Sequence, residues 1–327
     1  MKRSASVLAA TLVMASLLSS CSEKDGGKDK EVKEGLTVTV NSVWDCSSLG
    51  LIDFMSKESD ALMAGDKSGN HFGFTQAYGS NIVADGLVNG EYDMAVLPLD
   101  EALGVYRRSN STVQIVDIAS LTELYVVTND ASINSLEDIK DKDVLVPDYV
   151  QDLFADLAYQ KDVNVNIVKA ELEKCRSDVE ASADPVVCVL PEPYATELVT
   201  HSEKVHPVCS VNEEWEKENG GTVAVDTVTV ARKSLINEHP DVIKDYLEKH
   251  KASVDALRAN PENFLNTVAA KDIVRDRETA EKKLKENRSV FISGSEMKEK
   301  VLDYLDSIDY DDLDEINTDD LFYIPSN

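Results

Sequence analysis

Short apolar runs alternate with amphipathic stretches along most of the chain. Residues 36–43 are rich in β-branched side chains and predict a first strand, while Ser47 and Ser48 are suited to cap a helix over residues 49–62. Alternation of strands with helices indicates an α/β fold with largely parallel sheets. The same patterns predict further strands at residues 72–76, 93–97, 121–128, 144–146, 186–190 and 222–231.

Two stretches of the chain repeat one order of elements. In the first, a helix begins near Ser80 and ends at Gly90, a buried strand is closed by Pro98, and another helix starts near Asp100. The second, residues 170–194, again runs helix, strand, Leu-Pro and helix. Two similar units predict two lobes of related construction.

The predicted strands also indicate how the lobes are connected. The chain leaves the first lobe near Val127 and returns near Val228, and two crossing strands between two α/β lobes make a hinge. We therefore expect lobe 1 to comprise residues 36–127 and 229–327, and lobe 2 to comprise residues 128–228. The remaining residues of lobe 1 are predicted to be mainly helical, from Pro240 through the charged stretch 270–308.

The start of the chain has the pattern of an export signal. Lys2 and Arg3 precede an apolar run of about a dozen residues, which is too short to cross a bilayer of ~30 Å as a helix. Small residues then lead to Cys21, in a pattern that resembles the lipobox of bacterial lipoproteins. The resemblance implies a signal peptide over residues 1–20, cleavage before Cys21 and lipidation of its sulfur. An ordinary signal peptide or an uncleaved anchor is the alternative interpretation.

Composition adds a tether and an acidic surface. Residues 21–35 carry the lipidated Cys and a polar, charged stretch that cannot bury enough apolar surface to fold, so we expect a flexible tether. The chain has 61 acidic and 33 basic residues and a formal net charge of −28. This charge repels nucleic acid, so no nucleic-acid partner is expected.

The remaining cysteines leave the disulfide state open. Cys46, Cys175, Cys188 and Cys209 are even in number, which permits disulfides in an exported protein. Their spacings are irregular and include no CxxC pair, so we expect mostly free thiols. Bridges Cys175–Cys188 or Cys188–Cys209 are the alternatives.

Several segments together resemble a group of ABC-importer substrate-binding proteins, those for nitrate, sulfonates, taurine and thiamine precursors. They are residues 90–98 (GEYDMAVLP), 135–140 (SLEDIK), 189–194 (VLPEPY), 228–233 (VTVARK), 239–247 (HPDVIKDYL) with 260–262 (NPE), and 319–323 (DDLFY). The resemblance spans residues 36–323. It implies a two-lobed type II periplasmic-binding fold, a double-crossover hinge, and a ligand held between lobes at strand ends and helix starts. An ABC permease with its ATPase is the implied partner.

Candidate ligand-binding residues follow the predicted strands, where ligands of open α/β sheets bind. At residues 44–48, where many members of the group carry a Gly-Pro-Thr-Gly-like turn, this chain has Trp-Asp-Cys-Ser-Ser. The full candidate set is Trp44, Asp45, Cys46, Ser47, Ser48, Tyr78, Pro98, Leu99, Asp100, Asp148, Tyr149, Glu192, Asp226 and Thr227. Each has a structural alternative: a packed Trp, a helix cap, a turn, or a solvated acid. Glu123, before the outgoing strand, is a weaker candidate.

The chemistry of this set favours a cation. It holds five acidic side chains and no Arg or Lys, whereas nitrate or a sulfonate would be bound by Arg or Lys. The hypothesis is therefore a cationic or heterocyclic amine as ligand. The acidic stretch 303–320 lacks an Asp-x-Asp-x-Asp-Gly loop and the five His residues lack metal spacing, so neither a metal nor a cofactor is expected.

These expectations combine into one functional hypothesis and two alternatives. The hypothesis is a monomeric, lipid-anchored, extracytoplasmic binding component of an ABC importer on a bacterial membrane. One alternative is an enzyme of vitamin or quinone precursor metabolism on the same fold. The sequence offers no catalytic set for it, so we expect a protein that is not an enzyme. The other alternative is a ligand-sensing lipoprotein without an importer.

Overall fold

The computed structural model of the protein describes residues 34–310 and 313–325. The predicted signal peptide, the lipidation site Cys21 and the tether up to Lys33 lie outside the described residues. Within the described residues, no helix is both long enough and apolar enough to cross a bilayer.

Two β-sheets form the framework of the fold. The strands are β1 Glu34–Val43, β2 Gly69–Ala77, β3 Met94–Pro98, β4 Val113–Leu121, β5 Leu124–Thr128, β6 Asp143–Val146, β7 Asn166–Lys169, β8 Val187–Pro191, β9 His206–Ser210, β10 Val225–Arg232 and β11 Ser289–Ser293. One sheet has six strands in the order β11-β4-β10-β3-β1-β2, and the other has five in the order β7-β6-β8-β5-β9. We call the six-stranded sheet with its helices lobe 1 and the five-stranded sheet with its helices lobe 2.

Helices cover both sheets. In chain order they are α1 Ile52–Met63, α2 Ser80–Asn89, α3 Leu99–Arg108, α4 Gln151–Gln160, α5 Leu172–Ala181, α6 Tyr194–His201, α7 Val211–Glu218, α8 Lys233–Glu238, α9 Pro240–Ala259, α10 Leu265–Ala270, α11 Arg277–Glu286, α12 Gly294–Ser307 and α13 Thr318–Leu321. Short 3-10 helices lie at Cys46–Leu51, Leu136–Ile139, Asp148–Val150, Pro261–Phe264 and Leu313–Glu315.

Local chemistry explains several of these boundaries. Helix α2 ends at Gly90, which has a left-handed φ of 83° that glycine adopts without strain. Ser135 and Asp138 form a capping box at the 3-10 helix Leu136–Ile139. Pro240 occupies the first turn of α9, where its missing N–H is not needed. These three boundaries are the ones that the sequence pattern predicts.

Two crossings connect the lobes and form the hinge. The first is two residues long, Thr122 and Glu123, between β4 of lobe 1 and β5 of lobe 2. The second is residues 219–224, between α7 and β10. The backbone N–H of Thr122 donates to the carbonyl of Ala224 at 2.9 Å, so the two crossings run side by side. The predicted double-crossover hinge is confirmed.

The strand pairing differs from the predicted, mainly parallel sheets. In lobe 1, β1 pairs in parallel with β2 and β3, but β10 is antiparallel to β3 and β4, and β11 is antiparallel to β4. In lobe 2, β5 is antiparallel to β8 and β9. Both sheets are mixed because β10 and β11 run opposite to the other strands of lobe 1, and β5 runs opposite to the other strands of lobe 2.

Apolar clusters fill both faces of each sheet. Residues on β1 alternate between them: Val38 and Val40 pack into one cluster and Val43 into another. The two lobes also contact each other, and the chain from Glu34 onwards forms one compact unit. Cys46, Cys175, Cys188 and Cys209 are free thiols, and Cys188 is fully buried on β8.

Candidate ligand-binding site

Strand register places the predicted site residues of lobe 1 along one edge of its sheet. Ser42 of β1 lies beside Val96 of β3 in a parallel pair, and Thr227 of β10 lies beside Pro98 in an antiparallel pair. The residues that follow β1 and β3 and those that begin β10 therefore share this edge. It is the edge from which the chain crosses to lobe 2.

The corresponding edge of lobe 2 borders the same hinge. Leu124 pairs with Pro191, and Leu145 of β6 pairs with Cys188 of β8. The residues that follow β6 and β8 thus lie near the start of β5, immediately after the crossing residue Glu123. The hinge consequently brings the carboxyl ends of the strands of both lobes together.

Asp45 is fixed by the turn after β1. Its carboxylate accepts hydrogen bonds from the backbone N–H of Ser47, at 2.9 Å, and from the hydroxyl of Ser47, and so caps the 3-10 helix Cys46–Leu51. Burial raises the pKa of Asp45, although the bonds from Ser47 oppose the shift. The neighbouring Ser48 is fully buried and donates to the carbonyl of Val43 at 2.6 Å, so its hydroxyl bonds within the fold.

Trp44 and Tyr78 form an aromatic pair at the ends of β1 and β2. Their ring centroids are 5.5 Å apart and their planes differ by 16°. The indole N–H of Trp44 donates to the carbonyl of Lys271 at 2.8 Å, which fixes the ring, whereas Tyr78 is 84% exposed. The outer face of this pair can stack on a flat group.

Asp226 lies at the start of β10, beside the hinge. It accepts a hydrogen bond of 2.9 Å from the hydroxyl of Ser120 on β4. Burial, together with the nearby carboxylates of Asp45, Glu123 and Asp100, raises the pKa of Asp226 to about 7 against the effect of the Ser120 bond. These acidic groups from four different segments are therefore close enough to interact.

Glu192 directly follows β8 in lobe 2, as Leu99 directly follows β3 in lobe 1. Its carboxylate accepts bonds from the hydroxyl of Thr196 at 2.7 Å and from the backbone N–H of Thr196 at 3.3 Å. It therefore caps α6, as the structural alternative predicted. Burial raises the pKa of Glu192, while the ammonium group of Lys283 and the bonds from Thr196 oppose the shift.

Two tyrosines of lobe 2 are close enough to Asp45 of lobe 1 for its charge to affect their phenols. Tyr149 is 67% exposed, and the surrounding protein, Tyr194 and Asp45 raise the pKa of its phenol. Burial likewise raises the pKa of Tyr194, with a contribution from Asp45. Tyr194 was not among the predicted site residues, although it begins a predicted helix directly after a strand.

Lys283 is the largest departure from the sequence-based picture of the site. It lies on α11, is 1% exposed, and its ammonium group donates to the carboxylate of Glu123. Burial opposes the charge of Lys283, but the charges of Glu123 and Glu192 outweigh it and hold the pKa of Lys283 above its usual range. Its position in a strongly charged helical stretch gave no signal that it would be buried.

The other predicted residues are placed as follows. Leu99 packs into the apolar core, and Thr227 is buried with its hydroxyl 2.7 Å from that of Ser120. Cys46 is buried, and burial raises the pKa of its thiol well above the usual value. Asp148 is largely exposed and pairs with Lys169 at 3.1 Å. Pro98 ends β3 at the shared edge, beside the exposed Asp100.

One surface depression lies away from this region, and the residues that the structure describes contain no metal site. Among residues 34–310 and 313–325, no three His, Cys, Asp or Glu side chains are grouped so that they could hold a metal ion. A depression of about 510 Å³ lies on α12 and the segment after it. It is lined by Leu302, Asp303, Asp306, Leu313, Asp314, Ile316 and Thr318, none of which is a predicted site residue.

Comparison with solved structures identifies the fold. An ABC transporter protein from Parabacteroides distasonis superposes with a TM-score of 0.71 at 14% identity, covering 89% of this chain and 99% of that one. The periplasmic aliphatic sulphonate binding protein of Escherichia coli gives 0.67 at 10% identity, covering 89% and 93%. This chain has a periplasmic-binding fold. The predicted two-lobed, type II form of that fold is confirmed.

A third similar structure has the same arrangement. It is the zinc-bound ligand-binding component of an ABC-type import system from Staphylococcus aureus, with a TM-score of 0.66 at 11% identity, covering 88% of this chain and 97% of that one. No family model and no curated protein sequence matches the chain. At these identities the periplasmic-binding fold is what the chains share.

Proposed function

We propose that this protein is the extracytoplasmic solute-binding component of an ABC importer. It captures a small organic solute between its lobes, and the hinge closes over it. The observation that carries the proposal is the convergence, at one hinge, of polar side chains from both lobes at the ends of their strands. The fold that it shares with a sulphonate-binding protein and with the ligand-binding component of an ABC-type import system supports the same function.

The solute is a cation, namely an amine or a heterocyclic amine. Asp45, Asp226 and Glu192 border the hinge, and burial raises the pKa of each. Their hydrogen bonds come from hydroxyl and backbone groups and not from cationic side chains. The buried ammonium group of Lys283 is bound by Glu123. An organic cation would therefore relieve the mutual repulsion of these acids.

Aromatic groups give the solute site its second chemical feature. Tyr78, stacked on Trp44, belongs to lobe 1, and Tyr149 belongs to lobe 2. Faces of Trp and Tyr attract cations as well as flat rings. A solute with a positive charge and a planar ring uses both features. Closure then follows from contacts that form only when the lobes are together.

Membrane attachment completes the proposal. Lipidation of Cys21 and the polar tether that follows would keep the binding protein, as a monomer, close to a permease and its ATPase. One acyl chain gives reversible binding, whereas the two or more chains of a lipoprotein anchor hold stably. Mass spectrometry of the protein from a bacterial host tests this proposal, because an unmodified Cys21 would contradict it.

A thermal-shift screen tests the solute class. We expect primary amines, quaternary ammonium compounds and aminopyrimidines to raise the melting temperature, while alkanesulfonates of similar size leave it unchanged. A solute at ~100 times its Kd stabilises by ~2.7 kcal/mol, which corresponds to several degrees. Stabilisation by sulfonates alone would refute the cation proposal.

Matched variants locate the binding site. The double variant D45N/D226N removes two carboxylates but keeps their hydrogen-bonding shape, and it should lose the thermal shift. D255N removes an exposed carboxylate on α9 and should keep it. Incubation of the best solute with the protein should return it unchanged, since conversion to a product would indicate an enzyme. Permease and ATPase genes beside this gene would favour import over sensing.

A further inference from the structure

One segment of lobe 1 touches both crossings of the hinge and also lobe 2. We call residues 275–288, which comprise α11 and its flanks, the strap. Ala280 and Leu284 pack the strap onto the 3-10 helix Cys46–Leu51 of lobe 1. Tyr304 of α12 also packs on Trp215 of lobe 2, with ring centroids 5.7 Å apart, so the strap is one of the contacts that bear on how far the lobes separate.

The C-terminal end of the strap is anchored at the hinge. Lys283 donates to the carboxylate of Glu123, and the backbone N–H of Arg288 donates to the same carboxylate at 2.6 Å. The guanidinium group of Arg288 binds Glu216 at 2.6 Å, and that carboxylate also accepts from the backbone N–H of Ala224 at 3.1 Å. Each crossing is thus tied to the strap through one acid.

The N-terminal end of the strap contacts α6 of lobe 2. His201 lies 2.8 Å from the carboxylate of Asp276, and the backbone N–H of Arg275 donates to Glu197 at 3.1 Å. The side chains of His201 and Asp276 remain 26% and 37% exposed. Water can replace such partners when they separate, so the pair of His201 and Asp276 is weak. Glu197 is buried but is also bound by Arg176 of lobe 2 at 3.2 Å, so it keeps a charged partner when Arg275 withdraws.

The two ends therefore differ in how readily they open. Separating Lys283 from Glu123 would leave charges in a dry environment, which is unfavourable. Separating His201 from Asp276 would expose both to solvent. We infer that the strap is a latch: its Lys283–Arg288 end stays fixed at the hinge, and its Arg275–Asp276 end releases lobe 2 when the cleft opens. The relevance of the latch to capture rests on the proposed function, but its mechanics do not.

Asp276→Asn tests the latch without damaging α11. Asp276 accepts from the backbone N–H of Thr279 at 2.9 Å and so caps the helix, and Asn caps as well as Asp. His201→Gln breaks the same contact from the other lobe. Asp255→Asn removes a similar charge from a pair with Lys251 inside lobe 1 and serves as the control.

The measurement is the distance between lobes in the full chain with no solute added. Spin labels on p-acetylphenylalanine at Met63 of lobe 1 and Tyr159 of lobe 2, both more than 80% exposed, avoid the native thiols. We expect D276N and H201Q each to add a longer distance population, and the double variant to match the single ones because one contact is lost. D255N should match the parent.

Hydrogen exchange provides the second measurement. The amide of Arg275, which donates to Glu197, should exchange at least threefold faster in D276N than in the parent, while amides of β1 are unchanged. Superposable distance distributions and equal exchange at Arg275 would overturn the latch. Because no solute is present, that outcome would leave the proposed function standing, and a failed solute screen would leave the latch standing.

Discussion

The indole of Trp44 and the phenol of Tyr78 stack at the carboxyl ends of β1 and β2 in lobe 1, with centroids 5.5 Å apart. The pair joins the ends of β1 and β2, since the backbone N–H of Trp44 also donates to the carbonyl of Ala77 at 2.8 Å. Trp44 is held on its inner side by Lys271, whereas Tyr78 is exposed. The pair is thus an anchored ring that supports an accessible one.

Tyr78→Ala should weaken solute binding more than it weakens the fold. Loss of an exposed stacked ring costs about 0.5–1.5 kcal/mol of aromatic interaction, and a solute that uses this ring loses affinity roughly tenfold. Calorimetry with the organic cation that gives the largest thermal shift measures the effect. Tyr159→Ala is the control, because Tyr159 on α4 is 85% exposed and is not among the candidate site residues. Equal affinities for both variants would remove Tyr78 from the site.

Asp226→Asn should change how stability depends on pH. In the folded protein the pKa of Asp226 is raised to about 7 by burial and by neighbouring acids, whereas an unfolded Asp titrates near ~3.9. The native state therefore binds more protons between these values, and its stability falls as pH rises from about 4 to about 7. Asn does not ionise, so the variant lacks this decline.

Urea unfolding at pH 5 and pH 8 measures the difference. From pH 5 to pH 8, the unfolding free energy of D226N should rise by roughly 1–3 kcal/mol relative to that of the parent. D255N changes the same charge on the surface and should follow the parent. Parallel pH profiles for D226N and the parent would show that Asp226 is already ionised at pH 5.

Two substitutions of Asp45 should distinguish the effect of its charge from its effect as a helix cap. Asp45→Ala removes the acceptor for the backbone N–H and hydroxyl of Ser47 and should cost about 0.5–2 kcal/mol of unfolding free energy. Asp45→Asn keeps an acceptor and loses the charge, so stability should hold while cation binding falls. Denaturation curves combined with calorimetry test both halves. A D45N variant that binds the cation as the parent does would contradict the proposed role.

Removing only one partner of the Lys283–Glu123 pair should strongly destabilise the fold. Lys283→Met leaves the carboxylate of Glu123 without its cation in the interior and should cost about 3–5 kcal/mol. The double variant K283M/E123Q removes both charges and should recover part of that loss. A double-mutant cycle by urea unfolding gives the coupling. Additive losses would mean that the two charges do not stabilise each other.

Much of the fold is predictable because its signals are local. The run before Pro98, the glycine at position 90 and the capping box at Ser135 all lie within a few residues of the boundaries they set. Strand β4 was missed over most of its length, because Asp117 interrupts its apolar run. Asp117 is fully buried and lies 3.0 Å from His250 of α9, a partner 133 residues further along the chain.

The candidate site also contains residues with a local sequence signal and features that only packing decides. Asp45, Tyr149, Glu192 and Asp226 entered the predicted set because each follows or begins a strand, and the structure places them at strand ends. Leu99 has the same position along the chain, but its side chain packs into the core. Position relative to a strand therefore predicted the edge on which a residue lies, and packing decided which side chains face the hinge.

The sequence by itself determined the alternation of strands and helices, the two related lobes and the acidic character of the strand ends, because these depend on neighbouring residues. Only the tertiary structure decided that Lys283 neutralises Glu123 and that His201 meets Asp276. Those pairs join segments separated by 160 and 75 residues along the chain, and no local pattern encodes them. How deeply each pair is buried decides whether its contact is strong or easily released, and burial depends on the packing of the whole molecule.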